Sequence, residues 1–262
     1  MIPQNHIIEW SNYVPWQTNE QIEQDLVICR ALVEIFNDDF LAERLAFRGG
    51  TALHKLYLQP QPRYSEDIDL VQINAEPIKE TIMRLQERLS FLGTASVIQK
   101  KSNNTLKFRF ESEIPPTQSL RLKIETNCRE HFTVLDRIKK DFTVKSNWFS
   151  GSCSITTYEL EELLGSKLRV LYQRRKGRDL FDLHRALSMQ KVNTKQVIKC
   201  YEKYMSFVAS SPPTPKEFLK NMDQKIDDPR FVGDITLLLR PEEEYDHHKA
   251  YELVKTELIE KL

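Results

Sequence analysis

The chain has 262 residues, with 38 basic and 38 acidic side chains, 40% hydrophobic residues and a formal net charge of zero. That length holds one large or two small domains with a real core, and the apolar content excludes a disordered polyampholyte. No run approaches the roughly 18 apolar residues of a membrane span. Residues 1–20 predict no signal peptide, because they lack a basic start with an apolar centre. Neutral charge argues against a general nucleic-acid coat but leaves room for a local basic site. Cys29, Cys128, Cys153 and Cys200 form no C-x-x-C pair, the closest two being 25 positions apart. That spacing argues against structural zinc and predicts reduced thiols in a cytoplasmic protein.

In chain order, Ile22, Leu26, Cys29, Leu32, Val33, Ile35 and Phe36 recur at helical spacing. They predict a helix over about Glu20–Leu45. Phe47 to Leu58 reads as a glycine turn opening a short helix, with Leu53, Leu56 and Tyr57 inward. Pro60 and Pro62 mark a loop, and Asp67–Ile73 a strand. A helix over Glu76–Leu92 carries Pro77 in its first turn, where proline is tolerated. Ser96–Gln99, Leu106–Glu111 and Leu120–Asn127 read as three strands. The last two alternate apolar and polar residues, so each has one core face and one polar face. From Tyr158 the pattern is helical, with helices over 158–175, 179–188, 194–207, 215–225 and 241–261. The Ser210–Pro215 stretch is a loop between helices. The whole is an α+β chain: a mixed sheet with flanking helices over residues 1–155, then a helical bundle over 156–262.

Net neutrality hides asymmetry. Lys167, Arg169, Arg174, Arg175, Lys176 and Arg178 fall in a stretch without an acid, while Glu242, Glu243, Glu244 and Asp246 lead an acidic C-terminal helix. Only seven glycines occur, and Gly49 and Gly50 are adjacent.

Five features can carry chemistry. Asp67 and Asp69 lie two apart on a strand, so both carboxylates share one face while Ile68 and Leu70 face the core. Two like charges at that spacing repel, and a divalent cation with a preference for hard oxygen relieves the cost. The plainer alternative is a solvated edge. Glu125, on the polar face with Arg121 and Lys123, adds a third carboxylate if its strand lies beside that of Asp67; otherwise it belongs to a surface ion-pair ladder. Gly49-Gly50-Thr51 opens a helix, where bare backbone N–H groups suit phosphate and Thr51 adds a hydroxyl or simply a cap. Lys167 interrupts the stripe Leu160, Leu164, Leu171, so it must snorkel, pair or bind an anion. Asp179 is a candidate N-cap for the helix after Gly177, and Asp182 a local partner for Arg178. His247-His248 and the three tryptophans form no ligand pattern. They are read as structural or surface residues.

Together these blocks resemble the AbiEii/AbiGii toxin family. The carriers are Phe47-Arg48-Gly49-Gly50-Thr51-Ala52-Leu53, then Arg63-Tyr64-Ser65-Glu66-Asp67-Ile68-Asp69-Leu70. Leu122-Lys123-Ile124-Glu125, Gly165-Ser166-Lys167-Leu168 and Arg178-Asp179-Leu180-Phe181-Asp182-Leu183 follow in family order. That family comprises nucleotidyltransferases of the DNA polymerase β superfamily, and the MenT toxins are relatives. The resemblance implies a nucleotidyltransferase-type sheet and transfer of NMP from an NTP to an acceptor, with the tRNA 3′ end as the target. It implies Mg²⁺, with Mn²⁺ as the alternative ion, on Asp67, Asp69 and Glu125. It also implies an NTP cradle of Gly49, Gly50, Thr51, Arg63, Ser65 and Lys167, and a catalytic set completed by Lys167 and Asp179. RNA and a cognate antitoxin are the implied partners, the basic 169–178 segment is a surface for RNA, and no membrane is involved. The alternatives are nucleotidylation of a protein or small molecule, and a non-catalytic NTP-binding module.

Overall fold

The long helix expected over Glu20–Leu45 is broken in the computed structural model, which describes residues 2–100 and 102–262. The chain starts with α1 (Gln4–Trp10) and α2 (Asn19–Phe36), and α3 (Asp39–Arg44) follows as a separate helix. The reason is local. Asp38 accepts a hydrogen bond from the Leu41 N–H at 3.1 Å and caps a new helix. Its buried carboxylate also receives Arg84 at 2.7 Å and Arg88 at 2.5 Å. Burial acts to raise its pKa, but those cations and the cap hold it below the usual carboxylate range.

The chain continues through β1 (Leu45–Arg48), α4 (Gly49–Leu56), β2 (Asp67–Gln72) and α5 (Lys79–Arg88), then β3 (Ser96–Lys100), β4 (Asn103–Glu111) and β5 (Ser119–Asn127). The helix expected from Glu76 therefore begins three residues later, beyond Pro77 and Ile78. These strands form one mixed sheet in the order β1-β2-β5-β4-β3. β2 runs parallel to β5, and the other pairings are antiparallel. Ile68, Leu70, Leu106, Phe108, Leu122 and Ile124 are buried, so the alternation puts one sheet face into the core. β6 (Arg137–Lys145) and β7 (Ser150–Tyr158) form a separate hairpin. β1 and this hairpin have no counterpart in the sequence reading.

The chain divides into two units. The first holds 1–56, 64–133 and 137–158; the second holds 57–63, 134–136 and 159–262. The second is helical: α6 (Leu160–Gln173), α7 (Gly177–Met189), α8 (Thr194–Val208), α9 (Pro215–Asp223), α10 (Pro229–Thr236) and α11 (His247–Glu257). α6 and α8 cross closely at Gly165, where a β-carbon would come within 2.8 Å of the Tyr201 N and the Val197 carbonyl. Glu162 of α6 accepts from the Val134 and Leu135 N–H groups at 2.9 and 2.7 Å and from the Tyr204 hydroxyl at 2.8 Å. It thereby ties the 134–136 segment into the helical unit. Thr214 and Glu217 form a capping box at the start of α9. α10 was not expected, and the acidic residues 242–246 lie in a turn before α11 rather than in a C-terminal helix.

Candidate active site

β2 sets the site in the first unit. Ile68 and Leu70 point into the core, so Asp67 and Asp69 point together to the other, half-buried face. β5 pairs beside it with Asp67 opposite Lys123 and Asp69 opposite Glu125. Three carboxylates on adjacent strands thus share one face. Lys123 is inserted among them, its ammonium 3.5 Å from Asp67 and 3.1 Å from Glu125. Burial raises the Asp67 pKa; Lys123 opposes this, and Asp69 and Glu66 add to it. Burial acts to lower the Lys123 pKa, but Asp67 and Glu125 more than compensate and raise it.

The glycine pair lies against these carboxylates. Gly49 opens α4 with φ +79°, a conformation that suits a residue without a β-carbon. A β-carbon there would sit 2.8 Å from the Asp69 carboxyl carbon and closer still to its oxygen. Thr51, fully buried, shares a 2.7 Å hydrogen bond with the Ser65 hydroxyl and donates to the Asp67 carbonyl. It ties the first turn of α4 to the start of β2. Farther along α4, Lys55 is buried with its ammonium 2.5 Å from Asp25 and 3.3 Å from the Cys29 sulfur. Trp10 donates to the same Asp25 at 3.0 Å. That cluster pins α4 to α2 and α1.

The second unit holds the remaining expected residues. Lys167 does not snorkel: its ammonium is 3.2 Å from Asp179 and 2.9 Å from Asp182. Asp179 is not an N-cap. It sits in the first turn of α7 and also receives Arg174 at 2.7 and 2.8 Å. Burial acts to raise its pKa, yet Lys167 and Arg174 hold it below the usual range. Asp182 does not pair with Arg178. It takes both guanidinium arms of Arg63, at 2.7 and 2.8 Å, with Arg63 only 2% exposed. Arg63, expected as a nucleotide contact, is committed to that carboxylate.

The basic 169–178 segment is also not a free surface. Arg169 is buried, Arg175 pairs with Asp228 at 2.9 Å, Lys176 with Asp234 at 2.9 Å and Arg178 with Asp234 at 3.4 Å.

The sequence reading missed two participants. Alternation alone puts Lys123 on the polar face of β5, and only the pairing register sets it between two carboxylates. Asp182 lies three residues after Asp179, one helical turn on, which is the spacing that lets both face Lys167.

The donor set suits a hard divalent cation: side-by-side carboxylates, one of them raised by burial, with a lysine already drawn in as counter-charge. Asp67, Asp69 and Glu125 do not bring three ligand atoms within 4.8 Å of one another. Among the described residues one trio does, namely Asp227, His247 and His248 in the helical unit, so the two histidines do belong to a ligand-type cluster. A cavity of about 550 Å³ lies at the far end of β2, lined in part by Gln72, Asn104, Cys128 and His131, and none of the three carboxylates lines it.

Solved structures share this fold. MenT4, a nucleotidyltransferase toxin of Mycobacterium tuberculosis H37Rv, superposes with TM-score 0.70 at 16% identity, covering 100% of this chain and 91% of that one. JHP933 from Helicobacter pylori gives TM-score 0.58 at 20% identity, covering 93% of each chain. No curated protein matches the chain.

The chain is a nucleotidyltransferase. It belongs to the family of the AbiEii nucleotidyl transferase toxin of type IV toxin–antitoxin systems, whose model matches residues 30–253. Membership implies an NTP substrate and an antitoxin partner, and members typically depend on a divalent metal. No helix among the described residues is long and apolar enough to cross a membrane.

Proposed function

We propose that the chain transfers NMP from an NTP to the 3′ end of an RNA acceptor, with tRNA as the target and Mg²⁺ as the ion. The observation that carries this is the β2–β5 register, which sets Asp69 directly beside Glu125 with Asp67 on the same face. Held by Asp67, Asp69 and Glu125, the ions would lower the pKa of the acceptor hydroxyl and balance charge on the transferring phosphate.

The chain's own residues do the rest. Gly49 and Gly50 bring backbone at the start of α4 close to the phosphates, where a side chain would stand in the way. Thr51 donates its hydroxyl to the Asp67 carbonyl and so fixes α4 against β2; it accepts the Ser65 proton, which Ser65 turns to a phosphate oxygen when the NTP binds. Lys123 neutralises the carboxylates before substrate arrives. The family resemblance assigns Lys167 a triphosphate contact, and within its own unit Asp179 and Asp182 orient its ammonium. Arg63 acts behind Asp182 as a positioning residue. A cation set this way offsets the charge of the leaving pyrophosphate.

The test is incubation of the pure protein with each labelled NTP, Mg²⁺ and total tRNA. Label enters RNA with the wild type and is lost with Asp69→Asn. Absence of label in RNA, with growth arrest on expression unchanged by the same substitution, would overturn the proposal.

A further inference from the structure

The polar face of the sheet continues past the carboxylates onto β4 and β5. There Arg109 lies directly opposite Arg121, and Lys107 opposite Lys123. Like charges facing each other across antiparallel strands destabilise a sheet. Elsewhere this chain avoids leaving arginines alone. Every other described arginine has an ion pair, a hydrogen bond or a ring contact. Among the described residues, Arg109 and Arg121 are the two whose guanidinium groups have none of these. Both are exposed, and Lys107 beside them also has no acid within ion-pair distance. Glu111, two residues beyond Arg109 on the same face, pairs with neither.

Arg121 is two residues before Lys123 on β5, about 7 Å along the strand. The cationic pair therefore begins one strand repeat from the carboxylates. The phosphates of the NTP are assigned to the α4 side of those carboxylates, so the β4–β5 side is left for the other reactant. In the segment that the sequence pointed to for RNA, 169–178, Arg174, Arg175 and Lys176 are ion-paired with Asp179, Asp228 and Asp234.

We propose that Arg109 and Arg121, supported by Lys107, bind the phosphodiester backbone of the acceptor strand and deliver its 3′ end to Asp67 and Asp69. This rests on the reading of the acceptor as RNA. An array of cations along a sheet face, tracking a single-stranded backbone without reading bases, is a form that nucleic-acid grooves take.

The test is fluorescence anisotropy of a labelled single-stranded RNA with a free 3′-hydroxyl, over a salt series, with label transfer from NTP to the same RNA measured in parallel. Each phosphate contact on a single strand contributes about 0.7 to the slope of log affinity against log salt. The double variant Arg109→Ser/Arg121→Ser is expected to bind the RNA at least about tenfold more weakly at low salt. Its slope should be shallower by about 1.4, with NTP binding unchanged. Arg109→Lys/Arg121→Lys should keep most of the slope, and Arg175→Ser/Lys176→Ser all of it.

An unchanged slope in the Ser variant, while the wild type still transfers label to RNA, would overturn this surface and leave the activity standing. A slope lost in Arg175→Ser/Lys176→Ser instead would overturn it as well. Polyglutamate bound as tightly as RNA, and released by the Arg109/Arg121 change, would assign the face to an acidic protein and refute the RNA reading of it. RNA binding that follows the expected pattern, with no transfer to RNA, would support the surface and sink the proposed reaction.

Discussion

The carboxylate of Asp69 lies against the α-carbon of Gly49, in the space a β-carbon would fill. Gly49 is thereby constrained twice, by contact and by its positive φ. Gly49→Ala is expected to cost about 1–2 kcal/mol from the backbone alone, with a further loss from displacing Asp69. Denaturant unfolding measures the first part. The second appears as a fall in nucleotidyl transfer larger than any loss of folded protein explains, and retained activity would show that Asp69 can shift without consequence.

Arg63 and Asp182 make a deeply buried ion pair in the helical unit. Removing Arg63 leaves Asp182 with Lys167 as its counter-charge, so Arg63→Ala should destabilise by less than the roughly 3–5 kcal/mol of a fully stranded buried charge. The pair replacement Arg63→Met/Asp182→Leu should cost less than Asp182→Leu alone, which strands the Arg63 charge, as read by urea melts of all three variants. Because Asp182 also holds Lys167, the double variant should fold yet show weakened NTP binding.

The Asp179 carboxyl has a folded-state pKa below its ordinary 3.8, held there by Lys167 and Arg174 against burial. A depressed acid contributes stability above its unfolded pKa and loses it as pH falls through the folded one. The melting-temperature gap between wild type and Asp179→Asn should therefore be full above about pH 5 and shrink steadily below about pH 4. Thermal melts by circular dichroism at pH 3 and pH 6 check it, and a pH-independent gap would refute the charge account.

The four thiols should differ in reactivity. Cys29, Cys153 and Cys200 are buried, and burial pushes each up to about 12. Cys128 is partly exposed and lines the cavity at the end of β2, though burial raises it too. In native protein a thiol reagent should modify Cys128 first and the others on the timescale of unfolding. Mass mapping of a brief alkylation decides this.

How much was readable beforehand follows from what each element depends on. β2, β4 and β5 were legible because alternation with a buried apolar set, as in Leu120, Leu122 and Ile124, is a local signal. The glycine pair and the aspartates were legible for the same reason. The break at Asp38 was not, because the apolar periodicity runs on through Phe40 and Leu41, and only the cap and the Arg84 and Arg88 contacts make it worthwhile. The β6–β7 hairpin was missed because β6 alternates weakly, with Lys139, Lys140 and Asp141 in succession. Pairings such as Arg63 with Asp182, 119 positions apart, carry no local trace. The basic segment shows the opposite failure: its charge is local, while Asp228 and Asp234, which pair with Arg175, Lys176 and Arg178, come from α10 and the turn before it.

That 119-residue separation also sets an order of events during synthesis. At about 5–20 residues per second, roughly 6–24 s pass between the emergence of Arg63 and that of Asp182. Throughout that interval a guanidinium destined for the interior stays hydrated and mobile. The helical unit, which draws its 57–63 segment from so early in the chain, cannot close until α7 has left the ribosome.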